Sequence, residues 1–222
     1  MKKIQIETTV RKMLADVYTP VGIYLRLRDR FRDTVLLEST DHHAAENSYS
    51  FIGINAIGGI EIRKDVVETK LPGQPAQRVT LSGNEPLQNI LWDFTQRFET
   101  TTADYKAARF AQGLYGYFTF DAVQLFETIR FQEPSDVSNQ IPYARYRLYQ
   151  YVIAINHYRD ELLLLENKVA GVESELSVVE SLINSKDVPV FPFRAEGEES
   201  SNMEDEDFRQ MVKKGIASCH RG

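Results

Sequence analysis

One cysteine, Cys219, stands in 222 residues, so no disulfide can form within the chain. Disulfide-stapled secreted scaffolds are thereby excluded, and a cytoplasmic location is the expectation. No stretch reaches the roughly 18 consecutive apolar residues that a membrane-spanning helix needs. The start, Met1-Lys2-Lys3-Ile4-Gln5, is basic but lacks the apolar centre of a signal peptide. A basic surplus is missing as well: 32 acids face 26 bases, for a net charge of −6. That balance is the reverse of a nucleic-acid-binding surface, and neither nucleic acid nor membrane is expected as a partner. The clusters Arg26-Leu27-Arg28-Asp29-Arg30 and Arg145-Tyr146-Arg147 are short and interrupted. They read as a solvated helix face and a strand edge.

Catalytic patterns are equally scarce. The chain has no glycine-rich phosphate loop, no G-x-S-x-G elbow and no H-E-x-x-H helix. His42 and His43 are neighbours and would point to opposite sides of a strand, so they read as a solvated loop. His157 reads as a turn residue. Cys219-His220 lacks the geometry of a nucleophile and its base, because adjacent side chains diverge. The acidic run Glu204 to Asp207 compensates a helix N-terminus without needing a cation. No catalytic residue and no metal ligand is assigned from the sequence.

What is present is enough apolar sequence for a substantial core, 42% of residues, arranged in helix and strand periods. Alternation at Ile4, Ile6 and Thr8 predicts a short strand, followed by a helical turn around Val10 to Asp16. Thr19-Pro20 predicts a helix start, with Thr19 at the N-cap and the helix running to about Arg30. Strands are expected over Val35–Ser39, over Tyr49–Arg63 with a bend or bulge, and over Asp65–Leu71 before a Pro72-Gly73 turn. Pro86 opens a helix with an apolar stripe of Leu87, Ile90, Leu91, Phe94 and Phe98. Gly113–Phe120 reads as a strand and Asp121–Glu127 as a short helix. Arg147–His157 and Glu161–Glu166 form a hairpin around Tyr158-Arg159-Asp160. A helix over Gly171–Asn184 and a last strand over Val188–Phe193 complete an α+β domain, its sheet largely antiparallel and packed with helices. The acidic stretch Ala195–Asp207 reads as a linker. Ser201-Asn202-Met203-Glu204 then matches a capping box for a helix with Phe208, Met211, Val212 and Ile216 on one side.

The most informative segment is Val35-Leu36-Leu37-Glu38-Ser39. An apolar strand ends on a carboxylate and a hydroxyl, before a polar loop from Asp41 to Ser48. Small-molecule pockets combine apolar walls with a few placed polar groups in that way. Glu38 can accept from an ammonium or an indole N–H, Ser39 can bind a carboxylate or amine, and Leu36 or Leu37 can line a ring. A plain strand end, with Ser39 capping the next turn, fits the same residues.

The segments in combination resemble a known family. Thr19-Pro20-Val21, Leu36-Leu37-Glu38-Ser39, Asn47-Ser48-Tyr49-Ser50-Phe51-Ile52-Gly53, Gly113 to Asp121 and Phe126-Glu127 come in the order and approximate spacing of the N-terminal region of anthranilate synthase component I. Asp207-Phe208-Arg209-Gln210-Met211-Val212 resembles the helix leading into that enzyme's chorismate-utilising domain. The resemblance implies a lyase that turns chorismate and ammonia into anthranilate and pyruvate for tryptophan biosynthesis. A glutamine amidotransferase subunit would supply the ammonia. It places magnesium and the catalytic residues in a C-terminal domain. Residues 1–194 would then be a regulatory domain, and residues 195–222 an acidic linker and the start of the helix into that domain. The chain alone is expected to be inactive. L-tryptophan, the feedback inhibitor, would bind at Leu36, Leu37, Glu38 and Ser39, with Tyr49 and Ser50 on the next strand. Three other readings stay open: aminodeoxychorismate synthase component I, a free-standing amino-acid-binding module, and a structural scaffold that docks the amidotransferase without a ligand.

Overall fold

The computed structural model describes residues 3–39, 48–81, 87–101, 105–131, 141–187 and 189–221. It falls into two compact units, residues 1–189 and residues 190–222.

Among the described residues the first unit is built on nine strands: β1 (Ile4–Leu14), β2 (Val35–Leu37), β3 (Tyr49–Arg63), β4 (Val66–Lys70), β5 (Gln77–Thr80), β6 (Phe98–Thr101), β7 (Tyr115–Phe118), β8 (Ala144–Asn156) and β9 (Glu161–Lys168). They form one mixed sheet of order β5-β4-β3-β8-β9-β1-β6. β1 and β6 run parallel, and every other described pair is antiparallel. β2 pairs with the start of β3 and β4 with its end, while β7 and β9 divide β8 in the same way. The helices are α1 (Pro20–Leu27), α2 (Leu87–Thr95), α3 (Tyr105–Ala108) and α4 (Leu176–Asn184). A 3-10 turn covers Phe120–Leu125.

Both faces of the central strands are buried, which explains the unbroken run Leu162-Leu163-Leu164-Leu165. Leu162 and Leu164 pack with Ile23 and Leu27 of α1 and Val179 and Ile183 of α4. Leu163 and Leu165 face the other way, onto Val152, Ala154 and an aromatic layer of Tyr49, Phe51, Phe110 and Tyr115. α2 covers the far end of the sheet, where Leu87 and Phe94 pack on Ile60, Ile62 and Val67. Burying such side chains contributes about 1.5–3 kcal/mol each.

Several elements follow the sequence reading closely. Thr19 caps α1, its Oγ1 accepting from the Gly22 N–H at 3.0 Å. β3 occupies Tyr49–Arg63, with its register broken between Ala56 and Gly58. At that bulge Asn55 adopts a positive φ of 56° and donates to Gln150 Oε1 at 2.6 Å. The β8–β9 turn is held by Asn156 Oδ1, which accepts from the Tyr158 and Arg159 N–H groups.

Other expectations are overturned. Val10 to Leu14 continue β1, because β9 supplies a pairing partner along that whole stretch. Phe98 lies on β6 and not on α2, although its ring still meets Phe94 edge-on at 5.4 Å. The helix expected over Gly171–Asn184 begins at Leu176. Before it, the Glu173 carbonyl accepts from Gln150 and the Glu175 N–H donates to Tyr151, so the sheet's side chains take the backbone groups a helix would need. No strand covers Pro189–Phe193: Val190 and Phe193 are exposed, and Pro189 and Pro192 carry no N–H to donate. β5, β6 and α3 were not anticipated. Val188, Pro86 and Asp41 to Asn47, with His42 and His43, lie outside the described residues.

The second unit holds α5 (Asp205–Arg221), with every residue exposed. Ser201 does not cap it. Its Oγ closes a turn with Met203, and the Glu204 carbonyl accepts the first helical N–H, from Phe208. Cys219 and His220 sit on this exposed helix. No described helix is long and apolar enough to cross a membrane.

Candidate functional site

The strand period decides how the expected site residues are displayed. β2 lies antiparallel on β3, with Leu36 opposite Ile52 and Leu37 opposite Phe51. Leu36 therefore joins the layer under α1, while Leu37, 39% exposed, shares the face of Phe51 and Tyr49. Glu38 and Ser39 follow the strand end and are exposed. Tyr49 stacks on Phe51, centroids 5.9 Å apart with planes at 16°, and meets Phe110 at 4.9 Å. Ser50 points the opposite way. It is 1% exposed, and its Oγ lies 2.7 Å from Nε2 of His157. The backbone N–H of His157 also donates to the Ser48 carbonyl.

The six candidates thus share one end of the β2–β3 pair but divide between its faces: Leu36 and Ser50 on one, Leu37 and Tyr49 on the other. Glu38 and Ser39 are the polar groups that solvent reaches. Ser50 is engaged with the β8–β9 turn. No cluster of three or more His, Cys, Asp or Glu side chains able to hold a metal occurs among the described residues.

A second polar assembly lies at the other end of β2, and sequence reading missed it. Asp33, in the loop before β2 with φ of 51°, pairs with Arg145 and lies 3.8 Å from Arg147. Arg147 donates to Glu61 at 2.8 Å, and Arg145 lies 3.6 Å from the same carboxylate oxygen. Burial works against ionising Glu61, but its hydrogen bonds to Arg147 and Arg63, with their charges, hold its pKa below the ordinary value. The register explains this assembly. Lys70, Gly59, Arg147 and Tyr115 are consecutive cross-strand neighbours on β4, β3, β8 and β7. Two residues along runs a second row, Arg78, Glu68, Glu61, Arg145 and Tyr117. Arg145-x-Arg147 and Glu68-x-Lys70 are alternations legible in the sequence. Their meeting across β3 depends on register and is not.

Beside this assembly opens a cavity of about 400 Å3, bordered by Asp33, Gly59, Lys70, Gln74 and Arg147. Gly59 lets Arg147 lie close across β3: a Cβ there would stand 2.5 Å from the Tyr146 carbonyl and 2.7 Å from Cδ of Arg147.

Residues 62–222 match the family of chorismate binding enzymes. Among curated relatives, anthranilate synthase component 1 of Lactococcus lactis is 22% identical over 228 residues, covering 96% of this chain and 46% of the relative. The protein of that name from Aquifex aeolicus is 29% identical over 57% of the chain and 24% of its own length. That from Neisseria gonorrhoeae is 34% identical over 53% of the chain and 23% of its own length. A solved structure, anthranilate synthase component I from Streptococcus pneumoniae, covers 77% of the chain and 34% of its own, at 20% identity and a TM-score of 0.43. The chain therefore spans less than half the length of these relatives. Because the family's pattern runs through well over half of its residues, the chain belongs to the chorismate binding enzymes.

Proposed function

We propose that this chain is the N-terminal part of an anthranilate synthase component I. The whole enzyme would convert chorismate and ammonia, delivered from glutamine by an amidotransferase subunit, to anthranilate and pyruvate. The observation that carries this reading is the alignment of 96% of the chain with the Lactococcus lactis component 1. Magnesium and the reacting groups belong, on this reading, to sequence beyond these residues. No step is assigned to a side chain here.

The part this chain plays is regulatory. The β2 end offers half of a tryptophan pocket: Leu37 as apolar wall, with Leu36 anchoring the strand under α1, Glu38 as acceptor for an ammonium or indole N–H, and Ser39 as partner for a carboxylate. Tyr49 adds an aromatic edge. Ser50 contributes indirectly, through its bond to His157, by fixing the end of β3. A ligand shared by two domains changes activity only by binding one arrangement of them better. Coupling of about 1–3 kcal/mol is typical of such effects.

The test uses the complete gene product, assayed for anthranilate fluorescence with chorismate, magnesium and glutamine or ammonia. Ser39→Leu and Glu38→Ala are expected to raise the tryptophan concentration for half-inhibition at least tenfold, with uninhibited turnover nearly unchanged. Sensitivity equal to the parent in both variants would overturn the site. Aminodeoxychorismate as product would overturn the reaction.

A further inference from the structure

We propose that Asp33 is a positioning residue for the regulatory site: clasped by Arg145 and Arg147, it holds the start of β2 and thereby sets Glu38 and Ser39, beyond the other end, for the inhibitor. The inference rests on the tryptophan reading of the β2 end and adds the device that fixes that end in place.

β2 is a short lever with its anchors on one side. It has three residues, and among the described strands only β3 pairs with it. Glu38 and Ser39 follow directly, past the ladder and exposed, so any slack in β2 passes to them. The anchors gather at the start. Asp33 pairs with Arg145 and stands 3.8 Å from Arg147, both on β8. The same two arginines share Glu61 of β3. The clasp is thus a network tied across two strands of the sheet, where a lone exposed ion pair would contribute little. Thr34 Oγ1 donates to the Tyr24 hydroxyl at 3.3 Å and ties the next residue to α1. Val35 then lies opposite Gly53, the residue over which the Tyr149 ring packs.

Aspartate meets two demands at this position. The backbone adopts a φ of 51°, a region that Asp and Asn tolerate better than most residues. The carboxylate supplies the charge that the two guanidinium groups face. Asparagine keeps the first property and loses the second, so charge and backbone can be separated. A ligand whose contacts already stand in place spends no affinity on ordering them. Loss of the clasp therefore weakens the inhibitor without altering a group that meets it.

The experiment compares Asp33→Asn with Glu68→Gln, which breaks another ion pair of the same sheet, Arg78 to Glu68 at 2.6 Å. In the 222-residue chain, Asp33→Asn is expected to speed hydrogen exchange at the slowest amide of β2 at least tenfold, with Leu163 and Leu165 of β9 unchanged. Burial first, and then the Asp33 charge, raise the Tyr149 pKa to about 12, so Asp33→Asn should also move its phenolate absorbance to lower pH. Glu68→Gln should move neither. In the complete gene product, Asp33→Asn is expected to raise the tryptophan concentration for half-inhibition at least fivefold, and Glu68→Gln to leave it at the parent value. Unchanged exchange in β2 would overturn the clasp. Equal rises in the two variants would show general loosening of the sheet and would overturn positioning. If Ser39→Leu relieves inhibition and Asp33→Asn does not, the inference fails and the tryptophan reading stands. If Ser39→Leu and Glu38→Ala also leave inhibition intact, the tryptophan reading itself fails.

Discussion

Tyr115 and Tyr149 show what burial does to single side chains. The Tyr115 hydroxyl donates to the Phe110 carbonyl, and burial pushes its pKa up to about 12. Tyr149 packs its ring over Gly53, where a Cβ would approach within 2.6 Å. Its pKa is also raised to about 12, first by burial and then by Asp33, against the opposing Arg147 and Arg145. In both cases the folded pKa lies above the ordinary 10.0. Their stabilising effect is thus complete below pH 10 and is lost as pH rises from 10 towards 12. Urea midpoints are expected to fall steeply across that interval. Burial also raises the pKa values of Tyr146 and Tyr151, so phenolate absorbance should show a late alkaline component from these four of the eleven tyrosines. A replacement Tyr115→Phe that left the alkaline slope unchanged would show that burial does not control it.

The glycine-aromatic segment carries the clearest prediction for a whole element. In the sequence, Gly113 and Gly116 form one motif; in the structure they are not equivalent. A Cβ on Gly116 would stand 1.8 Å from the Arg145 carbonyl oxygen, a backbone atom that cannot move aside. Around Gly113 nothing lies within 4 Å. Gly116→Ala is expected to strip β7 from β8 and to cost about 3 kcal/mol or more, the upper end for overpacking. Gly113→Ala should stay within about 0.5 kcal/mol of the parent. Denaturant midpoints decide between them, and equal midpoints would show that β7 does not need the close approach. β1 carries the opposite lesson. Its sequence alternates weakly after Thr8, and local pattern assigned a helical turn, but pairing with β9 outweighs propensity of that size.

For the whole molecule, the division at Pro189 and Val190 sets the prediction. Residues 191–204 contain no regular element and are exposed, and α5 buries none of its side chains. Limited proteolysis is therefore expected to cut first between residues 190 and 204 and to leave a resistant product of about the first 189 residues. Earlier cleavage inside the β-sheet would contradict that order of stability.

Much of this protein was legible in its residues because the relevant physics is local. Thr19-Pro20 names its own helix start through one side-chain hydrogen bond and one fixed φ. The four consecutive leucines of β9 report a strand covered on both sides. The limits of β3 and the Asn156 turn follow from alternation and turn chemistry. Leu36 to Ser39 were recognisable as a strand running out into polar groups. Tertiary structure decided everything that depends on which strands become neighbours. It tied Ser50 to His157 and delayed α4 until sheet side chains had taken the backbone groups before it. It also drew Asp33, Glu61, Arg145 and Arg147 into one assembly and laid Arg147 across Gly59. A strand's own sequence fixes which residues share a face, through its period of two. Register with the next strand fixes which side chains meet across it, and that is set by the fold as a whole.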